Sequence, residues 1–300
     1  MLEFSKISVL DSLIRGLQIA KRLKNPAHAL LKRQFANPSD TMTITDRETG
    51  IRCLCTVESY HIFATTWYSR DYDVPGLAIR PNDVVIDIGA NQGFFACYAA
   101  HKGAKVYAFE PEPENYSRLL YNVKQNALED RIVARPWAIA DHAGAADLKV
   151  SRDCGGSTST IVSRFAENAR LSVRDVIAVP CYTLSQALKL LSVDEVRLCK
   201  IDAEGAELQI LSQLEVSLRM RIDAFVLEYH VGAYAMADLV SLLLSWQTHQ
   251  VSLMDDKPYT GNVLRVVSNS SFRDGICSGP PLAKDGLIDV RAEHAAMHGI

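Results

Sequence analysis

Short apolar runs alternate with stretches of helical periodicity through most of this chain. Runs at 84–88, 105–109, 132–139, 196–202 and 224–228 have the length and apolar content of strands covered on both faces. Between and after them, 94–101, 112–126, 183–191 and 237–246 carry apolar residues at helical spacing. Strand followed by helix, repeated, predicts an α/β domain with a mostly parallel sheet. Two further strands, 249–254 and 262–267, flank a polar turn at 255–261 and predict a closing antiparallel hairpin.

The ends have a different grain. Leu10, Leu13, Ile14, Leu17 and Ala20 predict an amphipathic helix over the first 24 residues, broken at Asn25-Pro26 before a second helical piece near 27–36. Alternation over 41–57 around the polar segment 46–50 predicts a β-hairpin, 60–70 reads as helix, and 71–81 as the loop into the first core strand. Trp67, Tyr68 and Tyr72 have packing as their expected role, with a ligand pocket as the other reading. A strand at 146–150 precedes a polar, glycine-containing loop at 151–160, and another strand is expected at 176–180. Past 268 the pattern fades, so the expected division is an N-terminal helical arm and hairpin at 1–59, a core domain at 60–267 and a tail at 268–300.

The first core strand carries the chemistry. Val84 to Ile88 is apolar apart from Asp87 and runs straight into Gly89-Ala90-Asn91-Gln92-Gly93, a turn with little side-chain bulk, after which a helix begins. Strand, tight turn and helix form the first unit of a nucleotide-binding doubly wound sheet, with the ligand beyond the carboxyl ends of the strands. The second strand ends in Glu110, 21 residues after Gly89, where an acid can accept both ribose hydroxyls of an adenosyl group. A dinucleotide fingerprint needs glycine at 91 and 94, but the chain has Asn91 and Phe94, which leaves a pyrophosphate without its seat. S-adenosylmethionine has no phosphate, and its amino-acid tail can be held by Asp87 and by the backbone of Gly89, Ala90, Asn91 and Gly93. The backbone near Ala138, at the third strand's end, is placed to read the adenine edge, whereas Asp141 is either an adenine acceptor or a turn residue.

Composition narrows the setting. At 300 residues, 48% hydrophobic, the chain can bury one large core. A net charge of −3 offers no global basic field for nucleic acid. Residues 1–35 are the local exception: seven Lys or Arg against Glu3 and Asp11 give +5, leaving −8 for the rest. That arm is either a solvated face or a contact for a membrane surface or an acidic partner. Seven scattered cysteines without metal-ligand spacing fit a reducing cytoplasm, and the Cys53-x-Cys55 pair shares one strand face. No run reaches the length of a membrane span.

Asp87-Ile-Gly-Ala-Asn-Gln-Gly, Phe109-Glu-Pro, Asn115 to Asn126 and Lys200-Ile-Asp-Ala-Glu-Gly-Ala-Glu, in this order and spacing, resemble the FkbM family of S-adenosylmethionine-dependent methyltransferases over roughly residues 60–267. The resemblance implies a class I methyltransferase fold, Rossmann-like, with seven strands, one of them antiparallel. It also implies O-methylation of a hydroxyl on a sugar, glycan or secondary metabolite. Thr183-Leu184-Ser185 departs from the family's usual Thr-Leu-Asp, though serine caps a helix nearly as well as aspartate.

For catalysis the candidates are Asp202 and His230, at the ends of adjacent strands. Asp202 can take the hydroxyl proton or orient substrate beside the sulfonium, and is also placed among the cofactor-binding residues; its other reading is a helix cap. His230, with an unperturbed pKa of about 6.5, is a candidate base near neutral pH. Glu204 and Glu207 read as acids at a helix start, where negative charge is favourable. Glu228 closes a buried strand and must find a partner, whether a substrate hydroxyl, a backbone amide or a metal. The spacing of Asp202, Glu228 and His230 does not select a metal, and none is assigned. Two rivals remain: a nucleotide-linked oxidoreductase, which Asn91 and Phe94 disfavour, and a catalytically inactive member of the same fold that binds cofactor or partner only.

Overall fold

The computed structural model describes residues 21–74, 76–152, 158–253 and 263–268. The helix expected over the first 24 residues, the turn at 255–261, the middle of the 151–160 loop and the tail therefore lie mainly outside the described residues.

The central sheet has seven strands. β3 (Val84–Ile88) and β4 (Lys105–Phe109) lie beside β5 (Ile132–Arg135), while β9 (Leu198–Ile201), β10 (Ala224–Glu228), β12 (Val263–Ser268) and β11 (His249–Leu253) extend the other side. Across the sheet the order is β11-β12-β10-β9-β3-β4-β5. Only β12 runs against its neighbours; it pairs antiparallel with both β10 and β11, whereas β5, β4, β3, β9 and β10 are parallel.

Strand alternation divides the core in two. Val85, Ala108, Leu198, Ala224 and Val226 belong to one apolar cluster, and their chain neighbours Ile86, Phe109, Cys199, Phe225 and Leu227 to another. A side-chain period of two along each strand sends these sets to opposite faces, each of which must be covered. α3 (Phe94–His101) and α4 (Pro113–Gln125) cover the first face; α6 (Leu184–Leu190), α7 (Glu207–Ser212), α8 (Val216–Arg219) and α9 (Met236–Ser245) cover the second. The result is three layers.

The N-terminal hairpin joins the first face. β1 (Thr41–Thr45) and β2 (Arg52–Thr56) pair antiparallel, and Met42, Ile44, Cys53 and Cys55 are buried in the same cluster as α3 and α4. Asn122 of α4 locks it: its Oδ1 accepts from Leu54 N at 2.7 Å, and its Nδ2 donates to Leu54 O at 2.9 Å and to Gln92 O at 2.7 Å. One buried amide thus ties the hairpin to the loop after β3. α1 (Pro26–Phe35) precedes the hairpin; after it α2 (Tyr60–Ala64) runs on into a π turn at Thr65–Ser69. Among the described residues no helix is long and apolar enough to cross a membrane.

Two sequence expectations change, and the packing role of Trp67 stands. The run at 132–139 is not one strand: β5 stops at Arg135, and β6 (Ala138–Ala140) joins a separate three-stranded sheet with β7 (Gly144–Ser151) and β8 (Val173–Thr183). Apolar content could not show the break, because the two pieces are buried in different clusters. Helix α6 is capped by Thr183, in a reciprocal box with Gln186, so Ser185 lies inside the first turn and is not the cap. Trp67 is a packing residue, stacked on Phe63 with centroids 5.6 Å apart and donating its indole N–H to Phe94 O.

Candidate functional site

A cavity of about 520 Å³ opens beyond the carboxyl ends of β3, β4, β9 and β10. Gly89, Ala90, Asn91, Glu110, Ala138, Asp202 and His230 all line it, which brings together seven residues spread over 142 positions of sequence.

The loop after β3 shows why glycine is needed there. Gly89 has φ +69°, and a Cβ built on it would run into the Asp202 carbonyl oxygen. The ends of β3 and β9 therefore approach each other backbone to backbone, which places Asp202 directly against the loop. Asn91 also adopts a left-handed conformation, φ 51°, a region its short polar side chain tolerates. Its N–H donates to Glu110 Oε2 at 2.7 Å, and the Glu112 N–H donates to Oε1 at 2.9 Å. Each carboxylate oxygen is thereby fixed in direction and keeps lone-pair capacity for a ribose hydroxyl. Burial pushes the Glu110 carboxyl up to about 8, with the two amides opposing that rise. Trp137 lies beside Ala138 in the cavity wall and stacks on Phe109 at 6.0 Å, an apolar surface suited to a flat base.

Two predicted residues do not reach the cavity wall. Asp87 is fully buried beneath the loop, and Gly93 starts α3 against Leu119. Asp87 instead faces Lys200, its Oδ1 3.3 Å from Nζ. Lys200 in turn donates to Gly89 O at 2.7 Å and lies 3.3 Å from Asp202 Oδ2. Burial works against the lysine's charge, but Asp87 and Asp202 outweigh it and raise its pKa. Asp87 therefore meets the loop through Lys200, which bonds Gly89 O. Sequence pattern identified the residue but not the layer it occupies.

The far end of the cavity is a set of linked carboxylates. The Tyr72 hydroxyl lies 3.2 Å from both Asp202 Oδ2 and Glu228 Oε2, and its single proton can serve one of them at a time. Burial raises the Glu228 carboxyl to about 7, and the charge of Asp202 adds to the rise. Burial likewise raises the Tyr72 hydroxyl well above its ordinary value, so it stays a donor. Tyr72, read from sequence mainly as a packing residue, is a polar member of the site; nothing in its immediate sequence announces that.

His230 departs from its expected part. Its Nδ1 is 2.9 Å from Glu207 Oε1, and its Nε2 is 3.3 Å from Glu204 Oε2 and 3.7 Å from Asp202 Oδ1. Burial favours the neutral ring, but Glu207, Glu204 and Asp202 together carry its pKa well above the ordinary value. These carboxylates favour the protonated ring over the neutral base that an unperturbed histidine would be. Glu207 is more than an acid at a helix start: its Oε1 accepts from Ala203 N and Gly205 N, and its Oε2 from the Tyr234 hydroxyl. It thereby holds the loop that presents Glu204, itself in a left-handed conformation at φ 47°. Asp202, Glu204 and His230 offer ligand atoms within 4.8 Å of one another, a set that can hold a cation. Asp141 lies apart, in an exposed pair with His142.

A seven-stranded sheet with one antiparallel strand, a glycine turn after the first core strand and a buried acid after the second define a Rossmann-like methyltransferase of class I. The sequence profile described as the Methyltransferase FkbM domain matches residues 87–254, and the chain belongs to that family. Its cofactor is S-adenosylmethionine.

Among its relatives is the 31-O-demethyl-FK506 methyltransferase FkbM of Streptomyces tacrolimicus, 27% identical over 212 residues that cover 62% of this chain and 80% of that protein. The hexuronic acid methyltransferase AglP of Haloferax volcanii is 23% identical over 151 residues, covering 50% of this chain and 57% of its own. A crystal structure of methyltransferase FkbM from Methylobacillus flagellatus aligns with 14% identity and a TM-score of 0.45, covering 86% of this chain and 59% of that one.

The donor set fits the cofactor. Glu110 has lone pairs free for a diol, Trp137 and Ala138 flank a slot for a base, and the backbone of Gly89 to Asn91 lines the same space.

Proposed function

We propose that this methyltransferase acts on a hydroxyl of a small-molecule or glycan acceptor, a sugar or a secondary metabolite. In this reading Glu110 holds the ribose, the backbone of Gly89, Ala90 and Asn91 lies along the amino-acid tail, and Ala138 and Trp137 border the adenine. Bound S-adenosylmethionine supplies an activated methyl group, so the protein's work is alignment, exclusion of water and removal of one proton.

The observation that carries the proposal is the Asp202–Tyr72–Glu228 arrangement in the same cavity as Glu110. A carboxylate near 7 is matched to taking a hydroxyl proton at neutral pH. Glu228 is assigned as that base, and Asp202 orients the hydroxyl. Tyr72 shifts its own hydrogen bond between the two as charge moves. His230, as imidazolium, anchors the acidic loop and fixes Asp202 from the opposite side. The names of the FkbM and AglP relatives, with acceptors of oxygen-rich chemistry, support the acceptor class.

The test is calorimetric binding of S-adenosylmethionine and S-adenosylhomocysteine with NAD as control, followed by an acceptor screen reading S-adenosylhomocysteine release. Both sulfur ligands should bind, and Glu110→Ala should weaken them by about tenfold, as the loss of two hydrogen bonds to a buried acid does. Turnover only on amines, with no hydroxylated acceptor accepted, would refute the O-methylation reading. Binding without turnover on any acceptor class would favour the inactive, binding-only form of the fold.

A further inference from the structure

Helix α1, Pro26–Phe35, shows its apolar side to solvent. Ala29 is its one buried residue, whereas Leu30 is 54% exposed, Leu31 59% and Phe35 79%. At 100° per residue, Ala27, Leu30, Leu31 and Gln34 lie on the stripe opposite Ala29, with Phe35 at its border. A helix resting on a globular body normally turns this stripe inward.

The charges around the stripe are all of one sign. Lys32 and Arg33 fall on its two sides, Lys21, Arg22 and Lys24 precede the helix, and no acidic residue occurs between 21 and 39. Two of these cations also hold the segment onto the body: Arg33 stacks 4.7 Å above the Tyr60 ring and Arg22 5.4 Å above Tyr68. The apolar face is thus fixed outward by contacts on the other side.

We propose that α1 is an interfacial membrane helix that seats this enzyme on an anionic phospholipid surface. Leu30, Leu31 and Phe35 enter the boundary between headgroups and acyl chains, and Lys21, Lys24 and Lys32 remain among the phosphates, their stems lying along the apolar stripe. Charge complementarity selects this occupant: a purely apolar partner face would leave Lys21, Lys24 and Lys32 without counter-charge, and an anionic lipid surface supplies both halves. Because Tyr60 adjoins His61 and Ile62 of the cavity wall, docking sets that wall close to the lipid.

The experiment is co-sedimentation of the full chain with vesicles of phosphatidylglycerol and phosphatidylcholine, with pure phosphatidylcholine as control, at low and high salt. Binding is expected on the anionic vesicles and should fall at high salt. Lys24→Gln and Lys32→Gln should each weaken it about fivefold. Leu31→Ser with Phe35→Ser should abolish it while leaving the melting temperature and S-adenosylmethionine affinity unchanged. Equal binding to both vesicle types, or none, overturns the proposal. So does a drop in melting temperature for the Leu31→Ser, Phe35→Ser variant, which would mean the chain's own N-terminal segment covers the stripe. A concentration-dependent dimer removed by the same substitutions would assign the face to a second copy and also overturn it.

Discussion

Replacing Glu228 with glutamine should make the protein more stable and less active, and the size of the first effect follows from the site. The carboxyl rises from its ordinary 4.5 to about 7 on folding, chiefly through burial and then through repulsion from Asp202. Because the folded pKa lies above the unfolded one, the charged form is disfavoured in the native state. The favourable contribution of the protonated acid is fully present below about pH 4.5 and is lost as pH rises through 7. At pH 8 the native protein carries a charge that opposes folding by about 3 kcal/mol, each pH unit of displacement being ~1.4 kcal/mol.

Glutamine matches the shape, keeps an oxygen for the Tyr72 hydroxyl and removes the charge. Urea unfolding at pH 8 should therefore show Glu228→Gln about 2–3 kcal/mol more stable than wild type, and at pH 5 the difference should fall below about 1 kcal/mol. Over the same range, wild-type kcat/KM should rise with pH to a plateau with a midpoint near 7, and the variant should lose both the plateau and that midpoint. An equal or lower stability of the variant at pH 8 would refute the buried-charge reasoning. A wild-type pH profile retained in the variant would remove Glu228 from the proton transfer.

Two further outcomes are expected. Gly89→Ala forces a methyl group into the Asp202 carbonyl at a positive φ, so it should cost ~2–5 kcal/mol by denaturation and weaken cofactor binding; wild-type values for both would show that the β3 and β9 ends do not meet as described. His230→Gln removes the cation among three carboxylates and should cost ~3–5 kcal/mol at pH 7, as breaking a buried pair does. Since the folded His230 pKa is raised, its stabilisation is complete below about pH 6.5 and fades only as pH climbs through that raised value; a variant as stable as wild type at about pH 6 would contradict its charge.

The sequence determined much of this protein through local rules. Short continuous apolar runs located the core strands, because a strand covered on both faces can hold few polar residues. The Gly89 turn and Glu110 were legible because a sharp loop and a ribose-binding acid each need particular residue types at the end of a strand. Tyr72 and Asp202 are 130 positions apart, and only the fold sets the hydroxyl against the carboxylate. The break between Arg135 and Ala138 was hidden because both pieces are equally apolar and differ only in the cluster that buries them. Asp87 was expected along the amino-acid tail, and only the fold shows it buried beneath the loop against Lys200, since depth below a loop is not a property of sequence spacing.

His230 shows the same limit most sharply. A histidine at a strand end suggests a base, but its protonation depends on Glu204, Glu207 and Asp202 converging from another strand end and helix start. Residue type and periodicity set what each segment can form and which chemistry it can carry. The charge state and partners of a buried group are summed over neighbours that only the tertiary structure brings together, because electrostatic interaction depends on distance in space and on exclusion of water.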